Sequence, residues 1–207
     1  MTRGRFITLE GIEGVGKTTH GPYIAAQLKA LGRDCVLTRE PGGTALGEAL
    51  RAVLLDPKLP GMAPLAELLL MFAARAEHIE RVIEPALAAG QWVVCDRFTD
   101  ATFAYQGGGR RLDTQAISTL EQLVQGTLRP DLTLLFDAPV ELALARTRHR
   151  GPADRFELER HDFFQRVRDC YLARAAAEPR RFRIVDASVP LAAVEQALAT
   201  LLAGIAR

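Results

Sequence analysis

A chain of 207 residues, 48% hydrophobic and 25% charged, has the size and composition of one large globular domain, with enough core to stand without disulfide or metal support. A net charge of +1 gives no argument for bulk nucleic-acid binding. No uncharged run nears the about 18 residues of a membrane span, Phe6–Leu9 is too short for a signal-peptide core with Glu10 directly after it, and Cys35, Cys95 and Cys170 lack metal-ligand spacing and point to a reducing, cytoplasmic setting. Strand-like runs fall at Phe6–Leu9, Cys35–Leu37, Trp92–Cys95, Leu132–Phe136 and Phe182–Val185. Helical patterns fall at 17–31, 44–55, 64–89, 113–127, 139–148, 160–177 and 190–206, the last with Leu191, Val194, Leu198, Leu201, Leu202 and Ile205 on one stripe. Apolar strands separated by helices predict an α/β fold with a five-stranded parallel sheet covered by helices on both faces. Ligands then belong at the carboxyl ends of the strands. No linker or repeat divides residues 1–207, so a single domain is expected. Gly107-Gly108-Gly109 reads as a flexible turn before a helix capped by Asp113.

Gly11-Ile12-Glu13-Gly14-Val15-Gly16-Lys17-Thr18 fits Gly-x4-Gly-Lys-[Ser/Thr] and lies between the first strand and the first helix. Such a loop turns successive backbone N–H groups and the positive helix end onto phosphate. Lys17 then reaches the terminal phosphates, and the Thr18 hydroxyl is suited to Mg²⁺. Only three lysines (17, 29, 58) stand among 26 basic residues, so the one kept in this loop carries weight and arginine clusters carry less. The chain has no asparagine, which removes the Asn-Lys-x-Asp motif for guanine. A small phosphotransferase is the reading that remains.

Trp92-Val93-Val94-Cys95-Asp96-Arg97 sets an acid and a base just past an apolar strand. Asp96 would lie beside Thr18 and hold Mg²⁺ through water. The bland alternative is a surface Asp-Arg pair, and Asp137 is the competing acid, although Pro139 marks it as a cap of the next helix. Three segments, 10–19 (Glu-Gly-Ile-Glu-Gly-Val-Gly-Lys-Thr-Thr), 38–44 (Thr-Arg-Glu-Pro-Gly-Gly-Thr) and 96–107 (Asp-Arg-Phe-Thr-Asp-Ala-Thr-Phe-Ala-Tyr-Gln-Gly), together resemble the thymidylate kinase family. That resemblance implies a P-loop nucleoside-monophosphate-kinase fold, a homodimer, ATP and Mg²⁺, and transfer of the γ-phosphoryl group of ATP to dTMP.

It also implies roles. Gly11 to Thr19 would hold ATP, while Arg39 and Arg97, helped by Arg51 and near Pro41, would grip the acceptor 5′-phosphate. Guanidinium forks suit that task. Phe72 would stack on thymine and Arg75 would donate to its O4, with Thr102 and Gln106 at the polar edges of the base. Tyr105 would crowd the sugar 2′ carbon, and Glu13 would face the 3′-hydroxyl or a Mg²⁺-bound water. Gly14 and Val15 in place of a loop arginine resemble the bacterial style, in which catalytic arginines sit on a lid. Here that lid is about 146–156, with Arg148, Arg150 and Arg155. Another P-loop nucleoside or monophosphate kinase is the alternative, and Arg39 with Arg97 favours a monophosphate acceptor.

Overall fold

The structure is a computed structural model and describes residues 3–59, 61–147 and 154–205. Among these, β1 (Phe6–Glu10), β2 (Cys35–Arg39), β3 (Trp92–Asp96), β4 (Leu132–Asp137) and β5 (Phe182–Asp186) form one parallel sheet in the order β2-β3-β1-β4-β5. The central strand β1 is buried along its whole length, which is why it shows no alternation of apolar and exposed polar residues. Ile7, Leu9 and Val94 enter one apolar cluster, whereas Phe6, Val93 and Cys95 enter another with Ile79, Ile83 and Leu87. The sheet is therefore covered on both faces, as the sequence predicts.

The helices are α1 (Lys17–Ala30), α2 (Ala45–Leu55), α3 (Pro64–His78), α4 (Glu84–Ala88), α5 (Thr99–Thr102), α6 (Thr114–Gln125), α7 (Val140–Thr147), α8 (His161–Ala177) and α9 (Leu191–Ile205). Asp113 caps α6 as expected, its carboxylate accepting from Gln115 N at 2.9 Å. Two readings change. The helix expected over 64–89 is interrupted by a π-helical turn at Ile79–Ile83. Pro85 lies just beyond it; a proline inside a helix has no N–H to donate and crowds the carbonyl four residues back, and a widened turn accommodates that. Asp137 is no helix cap either: Arg168 holds its carboxylate with two hydrogen bonds of 2.7 and 2.9 Å.

The third change is larger. Residues 99–109 are helical throughout, α5 running into a second π segment at Phe103–Gly109, so the triple glycine is no flexible turn. It is a packing seam against α8. A Cβ on Gly108 would sit 2.8 Å from the Cys170 Cβ and 3.0 Å from the Arg166 carbonyl, and one on Gly109 would sit 2.5 Å from the Phe163 ring. Gly108→Ala is accordingly expected to destabilise the chain by about 1–3 kcal/mol, as overpacking does. Denaturant unfolding measures it, and a stability equal to wild type would show that α8 yields at no cost.

Candidate active site

β1 and β3 lie side by side with Leu9 opposite Asp96, so the loops that follow them start next to one another. The ladder continues past the strands. Arg97 N donates to the Leu9 carbonyl at 2.9 Å, and Phe98 N donates to Glu10 Oε1 at 2.7 Å. These bonds hold Arg97 at φ 71°, a left-handed backbone that is costly for a residue with a side chain. Its guanidinium turns into the site, donating to the Gly11 carbonyl (3.1 Å) and Glu13 Oε1 (2.8 Å) and lying 4.7 Å from the Tyr105 ring centroid. Tyr105 OH donates to the same Glu13 carboxylate at 2.7–2.8 Å, closing a ring of three side chains.

The P-loop wraps from the end of β1 to Lys17. Gly14 has φ 77°, and a Cβ there would fall 1.9 Å from the Ala143 carbonyl of α7, so the loop packs against that helix. Ile12 and Val15 anchor it by burying their side chains in the core. Lys17 Nζ donates to the Gly11 and Ile12 carbonyls, each at 2.8 Å. Burial, and then the Arg97 charge, pull its pKa down to about 8. Burial and the charges of Arg39 and Arg97 likewise lower Arg51, whose Nη1 donates to the Pro41 carbonyl at 2.9 Å. Crowded cations of this kind are relieved by an anion.

A cavity of about 1010 Å³, open mouth included, lies over these groups. Glu13, Gly14, Gly16, Lys17, Thr18 and Asp96 line its P-loop end, and Pro41, Arg51 and Arg97 line its middle. Arg75, Thr102, Tyr105 and Gln106 line the rest, so most of the residues singled out in the sequence converge. Thr19 stands exposed on α1 outside it. Asp96 Oδ1 is buried without a partner, which suits a group facing a cation or its water shell. Arg75 is buried and fixed, its Nε donating to Glu40 Oε2 at 2.7 Å and its Nη2 to Thr102 Oγ1 at 3.0 Å, while Nη1 has no partner.

Three expectations do not match this geometry. Arg39 is exposed and paired with Glu48 at 2.8 Å, outside the cavity lining, because the nearby carboxylate captures the guanidinium. Phe72 is not at the cavity either. It packs with Leu68, Phe103 and Ile117 behind Arg75, and Met71, four residues before Arg75 and so on its face of α3, lines the cavity instead. Arg155 was expected on the donor phosphates, but it is buried, with Nε donating to the Leu54 carbonyl at 2.8 Å and Nη2 2.6 Å from Glu67 Oε2. The wholly buried Glu67 carboxylate needs that countercharge. Arg148 and Arg150 lie outside the described residues. Sequence reasoning passed over Glu40, which ties Arg75 and His78 together, and over Leu55, Phe98, Asp154, Phe156 and Glu157 on the cavity wall. Only Met71 had a signal, its spacing from Arg75.

The thymidylate kinase family model matches residues 9–198. A thymidylate kinase of Pseudomonas entomophila is 59% identical over 202 residues, 98% of this chain and 96% of that protein. One of Alcanivorax borkumensis is 58% identical over 198 residues, 96% of this chain and 95% of its own length. The chain belongs to the thymidylate kinase family. The crystal structure of the thymidylate kinase of Ehrlichia chaffeensis superposes on it with a TM-score of 0.78 at 35% identity, covering 97% of this chain and 99% of the other. A thymidylate kinase transfers a phosphoryl group between nucleotides.

Glu10 lies beneath this site. It is fully buried, accepting from Phe98 N and, at 2.8 Å, from Tyr171 OH. Burial, and then the charge of Asp100, raise its pKa from the ordinary 4.5 to about 8. The folded chain therefore keeps a proton that the unfolded chain gives up, and the stability this contributes is lost as pH rises from about 4.5 to about 8. The effect is on the order of a few kcal/mol. Glu10→Gln is expected to flatten this slope, measured by denaturant unfolding at about pH 5 and about pH 8.5. An unchanged slope would assign it to other groups.

Proposed function

We propose that this member of the thymidylate kinase family transfers the γ-phosphoryl group of ATP to dTMP in the cavity above β1 and β3, as one domain over 1–207. The observation that carries the site assignment is the pairing, in one cavity, of a cation cluster with a fixed arginine that has an unpartnered donor. The Arg97 charge presses on both Lys17 and Arg51, and Arg75, on the same cavity's wall, has a buried Nη1 without a partner.

The P-loop amides and Lys17 hold the donor phosphates. Thr18 and Asp96 are the residues to hold Mg²⁺, a fit supported by the unpartnered Asp96 Oδ1. Bound there, the ion supplies charge neutralisation on the phosphates of ATP. Arg97 and Arg51 take the acceptor phosphate. A phosphate monoester has its second pKa near ~6 and attacks without a general base, so the task of these side chains is to align two anions and offset their repulsion. The Glu13–Tyr105–Arg97 ring sets the sugar, and Tyr105 fills the space a 2′-hydroxyl would need. Arg75 donates to O4 of the base, Gln106 and Thr102 meet its polar edge, and Met71 supplies the apolar wall that Phe72 does not. Arg148 and Arg150 remain the proposed lid arginines for the transferring group. Arg155 is assigned instead to anchoring the lid.

The acceptor panel tests this reading. With ATP and Mg²⁺, dTMP is expected to be preferred. For dUMP the loss of one methyl costs about 0.8 kcal/mol, and for dCMP a buried donor facing Arg75 costs about 1–3 kcal/mol. Arg97→Ala should weaken dTMP binding in calorimetry without unfolding the chain. Equal kcat/KM for dCMP and dTMP would overturn the assignment of Arg75.

We also infer a homodimer and a cytoplasmic setting; among the described residues no helix is long and apolar enough to cross a membrane. Leu65, Ala66, Leu69, Ala73 and Ala76 form an exposed stripe on α3, and Ala45, Leu46, Ala49, Ala52 and Val53 are exposed on α2, which packs beside it. Such contiguous apolar faces favour association. Leu69→Arg is expected to give monomers in sedimentation velocity. A wild-type chain that sediments as a monomer would remove the inference.

A further inference from the structure

Glu67 is a wholly buried carboxylate on α3, and three side chains converge on it. Gln106 Nε2 donates to Oε1 at 2.8 Å. Arg155 Nη2 lies 2.6 Å from Oε2, and Arg110 reaches both oxygens at 3.4 Å. None of these contacts belongs to the phosphate chemistry, but Gln106 is one of the walls of the acceptor cavity.

We infer that Glu67 is a positioning residue that fixes the Gln106 amide with its carbonyl oxygen turned to the acceptor base, and thereby helps select thymine over cytosine. The inference rests on the proposed placement of the base beside Arg75 and Gln106. Its logic is that of donors and acceptors. A carboxylate held between two guanidinium groups only accepts, so the Gln106 group facing it must be the NH₂. The Gln106 carbonyl oxygen has no partner among the described residues and is left for a ligand. Arg75, whose Nη1 is likewise without a partner, lines the same cavity. The wall thus offers one donor and one acceptor, matching the O4 acceptor and N3–H donor of thymine. Cytosine presents the reverse at both positions.

Glu67→Gln would invert this arrangement. The charge of Arg155, nearest Oε2, would draw the new amide's oxygen to its side and turn its NH₂ toward Gln106. Gln106 must then rotate to accept, presenting its own NH₂ to the base. Kinetics of the full chain with ATP and Mg²⁺ on dTMP and dCMP test this in wild type, Glu67→Gln, Gln106→Leu and the double variant. The dTMP:dCMP ratio of kcat/KM is expected to fall about tenfold in Glu67→Gln, chiefly through KM because the base is bound alike in ground and transition states. In the Gln106→Leu background Glu67→Gln should move the ratio no further. A folded Glu67→Gln with the wild-type ratio, or an equal fall without the Gln106 amide, overturns the inference. A wild type that does not discriminate, with Gln106→Leu no different, instead overturns the placement of the base and this inference with it. Should Glu67→Gln not fold, bound ¹⁵N-labelled dTMP decides. Its N3 imino proton should be protected from exchange in wild type and not in Gln106→Leu, and an unprotected imino in the wild-type complex sinks the proposal.

Discussion

Pairing of β1 with β3 is the contact on which the site depends. It brings the end of one apolar strand, where the P-loop begins, against the end of another, where Asp96 and Arg97 follow. The two ends are then stitched together beyond the sheet by the Arg97 amide on Leu9 and the Phe98 amide on Glu10. That stitching fixes Arg97 in a backbone conformation it would otherwise avoid. The strain is offset locally by those two backbone hydrogen bonds and by the contacts of the Arg97 guanidinium with Gly11 and Glu13. Arg97 then joins the P-loop to the cavity wall, touching Gly11 on one side and Tyr105 on the other.

A second tier of buried charge sits behind the first. Asp100 is buried and takes hydrogen bonds from Arg174 Nε (2.6 Å) and Arg181 Nη1 (2.6 Å), which tie the start of α5 to α8 and to the residue just before β5. Its charge is one reason Glu10 holds its proton to about pH 8. Buried pairs of this sort add little net stability over apolar packing, but leaving one partner uncompensated is costly. Their effect is geometric. They allow one arrangement of α5 and α8 around the cavity, and catalysis by alignment requires that.

The parts legible in the sequence are those encoded locally. The P-loop is a spacing of glycines and a lysine, the five strands are apolar runs, and the Asp113 cap is a single residue before a helical pattern. The illegible parts are decided by what lies across the fold. Gly107-Gly108-Gly109 has the composition of a turn and becomes a helical seam because Phe163 and Cys170 leave no room for side chains. Phe72 and Met71 are neighbours on one helix, and only the packing of Phe103 and Ile117 decides which of the two faces the cavity. Arg155 lies in a segment whose composition suggests a mobile lid, yet a carboxylate 88 positions earlier captures it.

The arginine bias of the chain bears on this last point. A discount on arginine clusters is sound for exposed turns and unsound for the interior. Buried carboxylates at positions 40, 67 and 100 each take a guanidinium, from Arg75, Arg155 and Arg181 among others. A guanidinium presents several donors in a plane, so one group can bind a carboxylate and still reach a second partner. Arg75 does so by holding Glu40 and Thr102 while keeping Nη1 free. A lysine ammonium offers a point charge on a flexible stem and would not keep one donor aimed while the others are engaged. Lys17 stands in the P-loop, where a point charge suffices for the proposed phosphates, whose oxygens need no single aimed donor. A single lysine in the P-loop and arginines on the cavity wall and beneath it thus meet two different demands, charge in the first case and direction in the second.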